Sequence, residues 1–227
     1  MKKLFSVIII LSLIFTLTAC VGSTGNSANE NSSPSTHEND SSSVSASETD
    51  NAGNSNEGAE ETNQNENSAN SLVVYFSWSG NTENVAEAIA EQTGSDIFEI
   101  IPETPYSDDY NTVIDVAQSE QRSNARPSIS GSISNIEQYD VIYVGFPNWW
   151  GDMPMILYTF FDTYDLSGKT VAPFCTSGGS GLSDTVNTIK ELEPSADVLN
   201  GLHIGSGSAS NPDNAVNGWL TELGLIQ

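Results

Sequence analysis

The chain has 227 residues and a formal net charge of −24, from 30 carboxylates against six lysines and arginines. That balance argues against nucleic acid or anionic lipid as partners, since phosphates would be repelled. Two cysteines and two histidines leave too few ligands for a zinc site or a histidine-based triad.

The first residues read as an export signal rather than as part of a fold. Lys2 and Lys3 form a positive head, and Leu4 to Leu17 is apolar apart from Ser6, Ser12 and Thr16. Leu17-Thr18-Ala19-Cys20 follows. A short apolar core ending in small residues describes a cleaved secretory signal, too short for a typical transmembrane helix. The cysteine placed directly after those residues resembles the lipobox of bacterial lipoproteins. That resemblance implies a signal peptide over 1–19 and lipidation of Cys20, so that the mature chain is anchored outside the cell by its lipid alone.

Residues 20–70 are of a different composition. Beyond Cys20 the segment is almost entirely Ser, Asn, Thr, Gly, Ala, Glu and Asp, with neither an aromatic residue nor a Lys or Arg. It repels itself and has little apolar surface to offset the entropy of ordering. The reading is a disordered acidic tether with a mean span on the order of 40 Å.

Residues 71–227 have the size of one domain. Their cations are Arg122, Arg126, Lys169 and Lys190, and Cys175 is their lone cysteine, so no disulfide within the domain is possible. Apolar runs bounded by turn residues predict strands over 72–77, 96–101, 140–147, 170–176 and 198–204. Amphipathic stretches predict helices over 82–92, 108–120, 154–164, 184–193 and 214–223. Several strand runs are continuously apolar, as strands covered on both faces are. Strand–helix alternation predicts a parallel sheet with right-handed crossovers and helices on both faces, whose ligands bind at the carboxyl ends of the strands.

Three loops fall at those ends. After the first strand, Ser77-Trp78-Ser79-Gly80-Asn81-Thr82 leads into a helix whose leading N–H groups and dipole favour an anion. A hydroxyl- and glycine-bearing loop there makes a phosphate cradle that needs no cation. After the third strand, Pro147-Asn148-Trp149-Trp150-Gly151 offers large rings to a flat aromatic ligand. After the fourth, Thr176-Ser177-Gly178-Gly179-Ser180-Gly181 permits close backbone approach and supplies N–H donors. No Lys follows Gly80 as in a Walker loop, and the dinucleotide Gly-x-Gly-x-x-Gly is absent from the first turn. A mononucleotide is thereby favoured over ATP, NAD or FAD.

In their order, these loops resemble the flavodoxin-like group of FMN proteins with a Pro-x-Trp-Trp-Gly loop. Arg126-Pro127 and Gly168-Lys169-Thr170 fit the same pattern. The resemblance runs from about Leu72 to the C-terminus. It implies a flavodoxin-like three-layer doubly wound α/β sandwich, its five-stranded parallel sheet in the order 2-1-3-4-5 with FMN at the carboxyl edge. By the same resemblance Ser77, Ser79, Gly80, Asn81 and Thr82 bind the FMN phosphate. Pro147, Asn148, Trp149, Trp150 and Gly151 line the ribityl chain and ring, while Ser177, Gly178, Gly179 and Gly181 approach the pyrimidine side. Trp150 is expected to stack on the flavin with Trp149 packed behind it. The long 102–138 connection, in which Tyr106, Tyr110, Arg122 and Arg126 fall, is expected to be a surface excursion, with a flap over the flavin or a partner-docking element as the alternatives. Cys175 is expected to be a buried small side chain, and His203 a packed or hydrogen-bonded one.

The function so implied is electron transfer to a redox partner protein or a quinone-type small molecule, at a low potential for the fully reduced cofactor. An FMN-dependent NAD(P)H:quinone-type oxidoreductase is the enzymatic alternative, although no nicotinamide site is evident. A non-catalytic module using the cradle for another anionic ligand is the remaining one.

Overall fold

The computed structural model describes residues 70–227; the expected signal peptide, the expected lipidation at Cys20 and the expected tether lie outside the described residues. Chain order is β1 (Ser71–Tyr75), α1 (Asn81–Thr93), β2 (Asp96–Glu99), β3 (Ile101–Pro102), α2 (Tyr110–Ser123), β4 (Ile129–Ser130) and a 3-10 turn (Ile136–Gln138). Then come β5 (Val141–Pro147), α3 (Met155–Thr163), β6 (Thr170–Ser177), α4 (Thr185–Leu192), β7 (Asp197–Val198), β8 (Leu202–Gly205) and α5 (Asp213–Glu222). Among the described residues, no helix is long and apolar enough to cross a membrane.

The main sheet runs β2-β1-β5-β6-β7 and is parallel throughout, with β8 also paired to β6. Side chains alternate between its two faces. Leu72, Val74, Ile142, Val144, Val171 and Cys175 pack with Ile156, Leu157, Phe160 and Ile189 of α3 and α4. Val73, Tyr75, Tyr143, Ala172 and Phe174 pack with Val85, Ile89, Val216 and Leu220 of α1 and α5. Two apolar layers about one sheet give the expected three-layer sandwich, in the expected strand order.

The fifth expected strand arrives in two pieces, and Pro173 accounts for the break. Carbonyls of Val171 and Ser177 face the outer strand, accepting from Leu199 N at 2.9 Å and Ser206 N at 2.9 Å, whereas Thr176 O accepts from Asn148 N on the β5 side at 2.8 Å. Pro173 shares the parity of 171 and 177, so the N–H it lacks is missing from the ladder to the outer strand. There the strand opens between Val198 and Leu202. Gly201 lies in the opening, where a Cβ would come within 2.9 Å of Leu182 Cδ2 and 3.1 Å of Val186 Cγ2.

The 102–138 connection is no simple excursion. It carries α2, capped by Asp109, whose carboxylate accepts from Thr112 N at 2.8 Å, and the antiparallel pair β3–β4. Val113 and Ala117 of α2 are buried, and the helix lies beside the loops at the carboxyl edge of the sheet.

Candidate functional site

The loops after β1, β5 and β6 converge around a cavity of about 540 Å³, within the range typical of small-molecule sites. It lies between β1 and β5, where the strand order reverses and doubly wound sheets open a crevice. Ser79 and Asn81 line one end, Pro147 to Trp150 one side, and Ser177, Gly178 and Ser180 the other.

At the first end, Ser77 Oγ accepts from Gly80 N at 3.1 Å and closes the turn. Gly80 precedes α1 with φ 81°, and no side chain caps the helix. Its leading N–H groups are therefore left for an anion. Thr82, the second residue of α1, is buried, its hydroxyl 2.9 Å from that of Thr176.

The two tryptophans pack differently. Trp149 is half-buried, edge-on to Phe76 at 5.5 Å and to Tyr106 at 5.2 Å. Trp150 is 54% exposed. Trp149 and Asp152 exchange backbone bonds, N to O at 2.8 Å and 3.1 Å, closing a two-residue turn on Trp150 and Gly151. Both turn residues have positive φ, 56° and 83°, as a type I′ turn requires. Trp150 Nε1 donates to Ile114 O of α2 at 3.0 Å.

The glycine loop is held by side chains behind it. Ser177 Oγ accepts from Gly181 N at 3.0 Å and Gly179 N at 3.3 Å. Asn148 Nδ2 donates to Gly181 O at 2.9 Å, while its Oδ1 accepts from Gly151 N at 3.0 Å. Cys175 is fully buried with its thiol pushed up to about 12 by burial, which makes it inert packing. His203 is exposed and hydrogen-bonded to Ser177 Oγ at 2.8 Å.

Of the predicted residues, Ser79, Asn81, Pro147, Asn148, Trp149, Trp150, Ser177 and Gly178 line the cavity. Ser77, Gly80, Thr82, Gly151, Gly179 and Gly181 do not line it but belong to the same loops and their flanks. Sequence reasoning raised a flap over the flavin from the 102–138 connection only as an alternative and assigned no residue to one side of the cavity. Tyr110, Val113, Ile114 and Ala117 of α2 close it, together with Trp78, Thr176, Ser180 and Ser206. Trp78 and Tyr110 face each other at 6.2 Å between ring centroids, and Trp78 Nε1 donates to Ser107 O at 2.9 Å. The spacing of Val113, Ile114 and Ala117 marks an apolar helix face, but gives no hint of what that face covers.

No Lys or Arg lines the cavity. Arg126 is engaged elsewhere, paired with Asp162 and lying 5.2 Å over the Tyr158 ring. No Asp or Glu lines the cavity either; carboxylates act instead on Tyr75 of β1. Tyr75 is pushed up to about 12 by burial and then by Glu99, Glu83 and Glu87.

An uncapped helix start, facing aromatic rings and a glycine loop at a switch point define a doubly wound α/β domain built for a flat, phosphorylated ligand. The chain belongs to the flavodoxin family, whose sequence profile matches residues 70–223. Among solved structures it is similar to a flavoprotein of Bacteroides eggerthii at 32% identity, covering 69% of this chain and 98% of the other, with a TM-score of 0.62. A flavoprotein of Bacteroides uniformis matches at 30% identity, 68% and 99% coverage and a TM-score of 0.60. A Lactobacillus acidophilus flavoprotein, solved in complex with FMN, matches at 27% identity, 66% and 98% coverage and a TM-score of 0.55. No curated protein matches the chain.

Proposed function

We propose that residues 70–227 bind FMN and pass electrons between a reductant and an acceptor, on a chain held by lipid at Cys20 to the outer face of the membrane. The observation that carries the reading is the coincidence, in one cavity, of an uncapped helix start, an aromatic wall and an amide-bearing glycine loop with no cation. The family and the FMN bound by the Lactobacillus relative support the cofactor. The site tolerates this group, since phosphate can be met by the N–H groups of α1 and the hydroxyl of Ser79.

Bound FMN supplies one- and two-electron redox chemistry. The protein does the rest. Ser79, Asn81 and the start of α1 hold the phosphate, and Trp150 and Tyr110 offer faces to the ring. Trp149, fixed by Phe76 and Tyr106, keeps the loop behind them rigid. Carboxylates such as Glu83 and Glu99, unopposed by any cation in the cavity wall, disfavour added negative charge on the cofactor. A nicotinamide dinucleotide finds no cationic anchor there, which favours a carrier over an NAD(P)H oxidoreductase. An acidic domain also suits a basic redox partner, with association that slows as salt rises.

The test is to purify the domain, record its visible spectrum and titrate it with FMN. A yellow protein, or a colourless one that takes up FMN, is expected. A protein that stays colourless after FMN addition overturns the cofactor and with it the redox reading. Rapid reduction by NADH or NADPH in stopped flow would replace the carrier by the enzyme. For the anchor, Cys20→Ser should move the protein from the membrane fraction to the soluble one, and unchanged membrane retention would refute it.

A further inference from the structure

We infer that His203, which lies outside the cavity wall, is a positioning residue that sets the geometry of both loops facing the cofactor; the inference rests on the FMN reading given above. His203 is paired with Cys175 across β8 and β6. Ser177 follows Cys175 by two residues, so its side chain leaves the same face of the sheet. The imidazole reaches diagonally to it, Nε2 to Oγ at 2.8 Å.

The hydroxyl of Ser177 has no freedom left. It carries one donor and two acceptor positions. Gly181 N and Gly179 N fill the two acceptor positions, at 3.0 Å and 3.3 Å. Its own proton must then go to His203, whose Nε2 serves as the acceptor with the ring proton on Nδ1. Ser177 is 7% exposed, so water offers a poor substitute partner.

From Ser177 the constraint passes on. Gly181 donates its N–H to the serine, and its carbonyl accepts from Asn148 Nδ2 at 2.9 Å. Asn148 Oδ1 holds Gly151 N at 3.0 Å, the second residue of the turn that carries Trp150. One unbroken series of hydrogen bonds thus joins His203, Ser177, Gly181, Asn148 and Gly151. It ties the glycine loop to the tryptophan turn, and His203 is its outer end. Without an acceptor at 203 the serine hydroxyl would turn back toward the loop and compete with the glycine amides. The loop would loosen, and the turn beyond it would follow.

The experiment compares His203→Leu with His203→Gln in the full chain, since a glutamine amide oxygen can take the place of Nε2. His203 is exposed, so neither change should disturb the core, and far-ultraviolet circular dichroism checks this. Hydrogen–deuterium exchange, read on the ligand-free chain, should quicken at residues 178–182 and 149–152 in His203→Leu and return to the original rate in His203→Gln. FMN should bind about tenfold more weakly to the leucine variant, and within about twofold of the original to the glutamine variant. Unaltered exchange and affinity in His203→Leu would overturn the inference, as would a glutamine variant that behaves like the leucine one. Failure of the unmodified chain to bind FMN would instead refute the cofactor reading, while the exchange comparison would still decide whether His203 orders the loops.

Discussion

Thr82 and Thr176 meet hydroxyl to hydroxyl at 2.9 Å, both almost fully buried. One stands in the first turn of α1 and the other near the end of β6, so a single bond joins the start of α1 to the strand that leads into the glycine loop. Thr176→Val should leave the Thr82 hydroxyl buried without a partner, costing about 1–3 kcal/mol. Replacing both by valine removes both polar groups and should recover most of that loss. Urea denaturation of the single and double variants checks the pair. A double variant no more stable than the single one would mean that the bond does not couple the two elements.

Gly145 has a different constraint, imposed by its neighbour on β6. A Cβ there would lie 2.1 Å from Phe174 Cζ, inside the ring of a fully buried side chain. Gly145→Ala should destabilise the domain by about 3 kcal/mol, at the upper end for overpacking, because neither strand can yield. Adding Phe174→Leu should restore part of it. Thermal unfolding of both variants measures the effect, and a Gly145→Ala protein of unchanged stability would contradict the packing.

Trp150 occupies left-handed backbone that bulky residues avoid, at a cost of about 1–2 kcal/mol. Asparagine is at ease in such a turn. Trp150→Asn should therefore leave the ligand-free fold equally stable or up to about 1 kcal/mol more so, while weakening FMN binding at least tenfold through the lost ring face. Opposite movements of the two quantities would identify the strain as serving the ligand. A variant that loses stability and keeps its affinity would show the reverse.

Stability should depend on pH through the carboxylates that burial disturbs. Glu99, Glu120 and Glu193 are all raised above the ordinary value of 4.5, in each case chiefly by burial. A carboxyl raised by folding holds its proton more tightly in the folded state, so its stabilising share is complete below 4.5 and is lost as pH rises through the folded value. Asp109 and Asp165, lowered mainly by hydrogen bonds from Thr112 and Ser167, act oppositely and only below 3.8. The melting temperature should then be higher near pH 5 than near pH 8, and Glu193→Gln should flatten that slope. A melting temperature that climbs from pH 5 to pH 8 would rule this out.

Glu83 and Glu99, unopposed by a cation in the cavity wall, bear on redox poise. Relative to free FMN, the step to the fully reduced cofactor should lie at lower potential, and raising the salt concentration should narrow the gap by screening. Reductive titration at two ionic strengths measures both. An upward shift would require a cation that the cavity wall lacks.

Much of this architecture was legible in the sequence because burial on two faces and helical amphipathicity leave periodic marks. Leu72–Tyr75 and Val141–Phe146 could hardly have been anything but inner strands. The divided outer strand was less visible, although its cause, Pro173, stands in plain view. What hid it was orientation, since only the register shows which side of β6 lacks a donor. The site was legible where it rests on loop chemistry, as at Ser79 and Gly178. It was not legible where a side chain arrives from a distant element, as with Val113 and Ile114, whose role depends on where α2 lands. Trp78 sat inside the motif and was passed over because its neighbours explained the cradle without it.

Residue 70 enters the fold beside an inner strand, with Asn70 O accepting from Asp140 N and Val141 N and its amide donating to Gln138 O. β1 is flanked on one side by β2 and on the other by β5. Tension applied through residue 70 would load both ladders in shear, so their bonds would have to fail together rather than peel one after another. The cavity lies at the far end of that strand, beyond the bonds that would carry the load. A domain pulled by its leading end would thus resist as a clamped inner strand, with its cofactor pocket outside the line of force.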